Sequence, residues 1–224
     1  RVLGYACDAR GNVINTKNHV LLQPKNITRK KRGAKTILCI GTSMNSGKTH
    51  AAAACCYAIS SIGKRVRAAK MTGTASLKDI LLMNDCGAEH IADFTYFGYP
   101  STYLMEPEQL LQMYHSFDLK YGNNPNNYLV IEFADGIFQR ETAMLLKMPE
   151  IRKRIHKLIF CASDSTGVFG GLQILKEQFD LIPDAISGLC SSSPLAMREI
   201  QSFSDLPILQ SMEKDFHRIF NIIG

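Results

Sequence analysis

Gly47, Lys48 and Thr49 are the residues of this chain whose types and order point most directly to chemistry. They close a loop that Gly41 opens and stand where a helix is expected to begin. In such a loop, backbone N–H groups and the helix N-terminus surround a phosphate chain, the lysine reaches its outer phosphates, and the Thr hydroxyl ligates Mg²⁺. The candidate cradle is Gly41, Thr42, Ser43, Met44, Asn45, Ser46, Gly47, Lys48 and Thr49, with His50 following and Thr49 as a metal ligand. Five residues separate Gly41 from Gly47 where the usual pattern has four, so Thr42 occupies a position normally held by glycine. His50 is read either beside the phosphates or as an exposed residue on the first helical turn.

The elements that must hold this loop are written on either side of it. The apolar, β-branched run Thr36 to Ile40 predicts a strand, and Ala51 to Cys56 a helix. Beyond them strands and helices alternate, which predicts an α/β fold with a doubly wound, mostly parallel sheet. Helices are expected at 48–62, 77–84, 106–120, 139–147, 149–156, 170–179 and 194–203, with Ser76 and Asp79 as a capping box for the second. Strands are expected at 65–71, 91–94, 128–133, 158–162, 185–190 and 207–210. Residues 1–34 read as an appendage: a β-hairpin of strands 2–7 and 13–22, then a basic linker over 24–34. A hairpin this short cannot bury a core alone, so it must pack on the 35–224 nucleotide-binding domain, another chain or further sequence.

Ligands of doubly wound sheets bind beyond the carboxyl ends of the strands. Lys70 ends the second strand, as a second cation beside Lys48 or as a lysine leaving the sheet edge for water. Thr72, Gly73 and Thr74 follow it, as substrate contacts or as an ordinary turn. Glu132 ends an apolar strand where an unpaired charge is costly, and it reads as a second Mg²⁺ anchor. Asp135 positions substrate or water, or simply turns the chain beside Gly136. Lys48, Lys70, Glu132 and Asp135 form the candidate catalytic set. Ser101 and Thr102, with Tyr103, form a polar loop placed to cover a substrate, and Arg140 either clamps a substrate carboxylate or makes a helix-surface salt bridge. Asp164 is placed near a nucleotide base, and Ser191 to Ser193 end a further strand.

Composition sets bounds on partners. Hydrophobic content of 46% with 21% charged residues describes a globular chain, and no apolar run is long enough to span a bilayer or form a signal-peptide core, so a cytoplasmic protein without a membrane partner is expected. Seven cysteines without a C-x-x-C pair imply a reducing compartment and neither a disulfide framework nor a zinc site. The net charge of +6 comes largely from Arg29 to Lys35 and Arg152 to Lys157. Neither cluster interleaves with aromatics, so both read as solvated surface and no nucleic-acid partner is expected. No Asn-Lys-x-Asp run is present to read guanine, which favours ATP over GTP.

Gly41-Thr42, four further residues and Gly47-Lys48-Thr49, followed by Gly63-Lys64-Arg65-Val66 and Lys70, resemble the corresponding stretches of dethiobiotin synthetase and its relatives, a branch of P-loop proteins that includes ATP-dependent ligases and nucleotide-binding adaptors. Lys70 to Thr74, Ala92-Asp93-Phe94, Pro100 to Leu104, Glu132 to Thr142 and Ser187-Gly188 are similar to a bacterial P-loop family that includes members assigned as D-glutamate N-acetyltransferases. The resemblance implies an Mg-ATP-dependent ligase or phosphotransferase acting on a small acidic substrate, with Lys70 meeting phosphate and substrate, Glu132 holding Mg²⁺, and a homodimer or higher homo-oligomer as the assembly. It also implies two alternatives. One is acetyl transfer from acetyl-CoA to an amino acid such as D-glutamate, the loop cradling the coenzyme's phosphates. The other is a nucleotide-gated adaptor, similar to the one in molybdopterin guanine dinucleotide biosynthesis, that holds a partner through the hairpin and basic linker.

Overall fold

The computed structural model describes residues 3–22 and 33–224. The expected linker lies mostly outside these, including Arg29, Lys30, Lys31 and Arg32. Six strands form one sheet: β1 (Lys35–Gly41), β2 (Val66–Lys70), β3 (His90–Asp93), β4 (Tyr128–Glu132), β5 (Ile155–Cys161) and β6 (Ala185–Ser187). All are parallel, in the order β3-β2-β4-β1-β5-β6. Each crossover therefore carries helix, as parallel strands require.

Both faces of the sheet are covered, so side chains alternating along a strand enter two different cores. In β1, Ile37 and Cys39 join one core while Leu38 and Ile40 join the other. The first core lies under α1 (Lys48–Ser61), α2 (Leu77–Asp85) and α8 (Phe216–Ile223). Small residues let α1 sit close: Ala51 to Ala54, Cys55, Cys56 and Ala58 are all buried, the mark of a helix enclosed on nearly every side. The other core is larger, and α3 (Pro107–Tyr121), α4 (Arg140–Lys147), α5 (Pro149–Arg152), α6 (Ser165–Phe179) and α7 (Pro194–Gln201) all contribute to it. Cys39, Cys55, Cys56, Cys161 and Cys190 are buried, and burial pushes the Cys56, Cys161 and Cys190 thiols up, that of Cys190 to about 11.

Several elements differ from the sequence expectation for identifiable reasons. The hairpin is reduced to one antiparallel bridge, Cys7 with Val13, around an Asp8 turn. Residues 16–22 form a 3-10 turn and an irregular, bent stretch, not a strand, and dock where the Leu21 and Leu22 amides donate to the Tyr96 carbonyl. Helix α6 starts at Ser165 and not at 170, because Asp164 caps it by accepting from the Gly167 amide at 2.7 Å. Gly171 is tolerated inside that helix because a Cβ there would lie 2.1 Å from the Phe160 ring. The 207–210 strand is a single bridge, Ile186 with Ile208, and β6 is shorter than expected because Gly188 turns the chain. The basic run after α4 is not simply solvated surface. Arg152 pairs with Asp180 and Lys157 with Asp184, while Arg154 grips buried Asp118 with two nitrogens, Nη2 to Oδ1 at 2.7 Å and Nε to Oδ2 at 3.1 Å.

Candidate functional site

The glycine loop runs from the end of β1 to the start of α1. Thr42 is tied to β5 by its amide, which donates to the Cys161 carbonyl at 2.9 Å, and Asn45 turns the loop with φ 60°. Gly47 precedes α1 at φ 94°, and a Cβ there would sit 2.7 Å from the Cα of Gly188. The Leu189 amide donates to the Ser46 carbonyl at 3.2 Å. On the opposite side, a Cβ on Gly136 would lie 2.3 Å from the Thr42 carbonyl oxygen, and the Ile137 amide donates to the Gly41 carbonyl at 2.9 Å. The chains leaving β4 and β6 therefore buttress the loop from both flanks.

Lys48 is buried and folds back over the loop, its Nζ donating to the Ser43 carbonyl at 2.7 Å and lying 3.4 Å from Ser46 Oγ. Burial pulls its pKa down, and the carboxylates of Glu132 and Asp135 are among the groups that act against this. Thr49 Oγ1 donates to Glu132 Oε1 at 3.1 Å. Glu132 is 2% exposed, and its second oxygen, Oε2, has no hydrogen-bond partner among the described residues. Burial pushes the Glu132 carboxyl above the usual carboxylate range, with Lys70, Lys48 and the Thr49 hydroxyl opposing.

Lys70 does not leave the sheet for water. It ends an internal strand, is 6% exposed, and its ammonium pairs with Asp79. Asp79 is thus diverted from its expected capping role, and Ser76 precedes α2 without a side-chain capping bond. Lys48, Thr49, Lys70, Asp79, Glu132 and Asp135 all line one cavity of 720 Å³. Met44, Asn45, His50 and Thr74 also border it.

Other candidates take structural partners. Thr72 donates to the Ala134 carbonyl, and the Gly73 amide donates to Thr102 Oγ1 at 2.9 Å. Thr74 and Ser101 form an antiparallel bridge, so the loops after β2 and β3 are fastened together. Arg140 points to the loop before α3, donating to the Met105 carbonyl at 2.8 Å and pairing with Glu141 at 3.0 Å. Ser193 caps α7.

Two features escaped the sequence reading. Asp79 belongs to the charged cluster, a fact carried by the tertiary approach of α2 to β2. A second cavity of 450 Å³ lies across Gly47, His50 and Leu189 from the first and is also bordered by Ser191, Gln210 and Met212.

The glycine loop between β1 and α1 of an all-parallel sheet, covered on both faces, defines the P-loop NTPase fold. Among solved structures, chloroplast FtsY from Physcomitrella patens superposes with a TM-score of 0.54 at 8% identity, over 90% of this chain and 65% of that one. The signal recognition particle receptor FtsY from Elizabethkingia anophelis, in complex with GDP, gives 0.49 at 13% identity over 84% and 59%. A ParA family ATPase from Chlorobium tepidum TLS gives 0.48 at 15% identity over 84% and 88%. The chain thus spans less than two thirds of these FtsY structures, and the likeness is one of fold. No protein-family model and no curated protein matches the sequence. Among the described residues, no helix is long and apolar enough to cross a membrane.

Proposed function

We propose that this chain binds ATP with Mg²⁺ at the 720 Å³ cavity and transfers or splits the γ phosphate to activate a small acidic substrate. The observation that carries the reading is Glu132: a buried carboxylate with one oxygen on the Thr49 hydroxyl and the other without a partner. Burying such a charge is costly unless a cation or donor meets it. A hard divalent cation takes oxygen ligands, and Mg²⁺ is commonly held through one or two protein groups plus phosphate oxygens, so Thr49 and Glu132 fit it.

In this reading the loop amides beyond Thr42, up to that of Thr49, bind the phosphates, and Lys48 turns from the Ser43 carbonyl to the outer phosphates. When bound, Mg²⁺ supplies charge neutralisation between the phosphates. Lys70 presents a second ammonium where negative charge grows during transfer, and Asp135 positions the attacking group. The 450 Å³ cavity, with Leu189 and Met212 beside Ser191 and Gln210, offers room for the nucleoside. The acidic substrate class and a homodimeric assembly rest on the ligase resemblance alone.

Calorimetry with ATP, GTP and acetyl-CoA, each with and without Mg²⁺, tests the reading. We expect Mg²⁺-dependent heat with ATP, loss of binding in Lys48→Ala, and binding without turnover in Glu132→Gln. Heat with acetyl-CoA and silence with ATP would overturn it in favour of acetyl transfer.

A further inference from the structure

Lys70 and Glu132 are registered partners on the adjacent parallel strands β2 and β4. Such residues project from the same face of a sheet, about 5 Å apart across the strands. A lysine beside a buried carboxylate would ordinarily take it as its counter-ion, since a buried charge demands pairing. Here the ammonium goes to Asp79 on the first turn of α2, and Glu132 Oε2 is left without a partner among the described residues. Lys70 and Asp79 are both largely buried, with side-chain exposures of 8% and 15%, so this pair is enclosed within the cavity wall.

We propose that Asp79 is a positioning residue that holds the Lys70 ammonium off Glu132 and thereby keeps one carboxylate oxygen open for the divalent cation. This inference rests on the Mg²⁺–nucleotide reading above and extends it to Asp79, a further residue lining that cavity. Without the Asp79 charge, Lys70 collapses onto Glu132 and fills the cation's place. The α2 helix thus reaches the cation site through one ion pair. Its entry loop is itself fastened by the bridge between Thr74 and Ser101.

The test is the ratio of affinities for a non-hydrolysable ATP analogue measured with Mn²⁺ and with EDTA, since that ratio isolates the cation's contribution. It is measured for the wild type, Asp79→Asn, and the double variant Asp79→Asn with Lys70→Met. We expect a large ratio in the wild type, a fall of about tenfold or more in Asp79→Asn, equivalent to about 1.4 kcal/mol, and recovery in the double variant even if its absolute affinity is low. A structural defect at Asp79 would not be repaired by also removing Lys70, so failure of recovery overturns the proposal. A ratio unchanged in Asp79→Asn overturns it as well, while leaving the Mg²⁺ reading intact. A wild type whose affinity ignores Mn²⁺ removes the underlying reading itself.

Discussion

Gly188, at the exit of β6, lies against Gly47 so closely that a methyl on Gly47 would come within 2.7 Å of the Gly188 Cα. Two glycines 141 positions apart thus set the curvature of the phosphate loop together. A side chain at either place must displace backbone, and backbone cannot yield as a flexible side-chain tip can.

Gly188→Ala is expected to spoil the loop. Its Cβ would lie 2.2 Å from the Ser46 carbonyl oxygen, at a φ of +96° that alanine rarely adopts. Nucleotide affinity should fall about tenfold or more, and thermal unfolding should register a loss of about 1–3 kcal/mol. Gly63→Ala is the control, since Gly63 has φ +74° but nothing within 4 Å of a Cβ. It should lose some stability from strain while keeping its nucleotide affinity. Equal affinity in Gly188→Ala and wild type would show that the loop does not depend on this contact.

Glu132→Gln should make the nucleotide-free protein more stable at neutral pH, not less. The folded carboxyl titrates above the ordinary value of 4.5, chiefly because of burial, so over the window above 4.5 the folded state holds a proton that the unfolded state has released. That contribution to stability is fully present below the unfolded value and is lost as pH rises through the folded one. Glutamine carries no such dependence, so the variant's advantage should grow with pH and then level off. Urea unfolding in EDTA from pH 5 to 8 checks this. A variant less stable than wild type at pH 8 would mean that Lys48 and Lys70 outweigh burial as determinants of the Glu132 charge. Saturating Mg²⁺ and nucleotide should reverse the order, because the ionised carboxylate is the form a cation binds.

What the sequence disclosed follows the range of the interactions involved. The phosphate loop was legible because Gly41, Gly47, Lys48 and Thr49 act through spacing along a short stretch. The sheet was legible because strands buried on both faces, such as Tyr128 to Glu132, must be continuous apolar runs. Helix α8 went unread although Asp215 caps it and Phe216, Ile219, Phe220 and Ile223 have helical spacing. Eight residues give little periodicity to see, and the helix is completed by docking its apolar face into the core beside α1. Asp79 was misassigned because Ser76 three residues earlier satisfies a local pattern, whereas its actual partner, Lys70, lies across the β2–α2 connection. Arg154 was read by its basic neighbours because nothing local reveals Asp118, 36 residues earlier, beneath it.

That last pair makes the remaining prediction. Arg154 and Asp118 join the start of β5 to the end of α3, at the amino ends of the strands and opposite the 720 Å³ cavity. Arg154→Met removes a fork of charged donors from a carboxylate that is 2% exposed, and breaking such a pair from one side typically costs about 3–5 kcal/mol. Arg154→Lys should recover only part of this, because an ammonium cannot span both carboxylate oxygens as the guanidinium does. Nucleotide affinity should stay within about twofold in both variants under conditions where they remain folded, a difference of about 0.4 kcal/mol. Urea midpoints and calorimetry measure the two quantities separately. A midpoint shift equivalent to less than about 1 kcal/mol in Arg154→Met would place this pair with exposed ion pairs of small value, and a parallel collapse of nucleotide binding in folded protein would show that the two ends of the sheet are coupled.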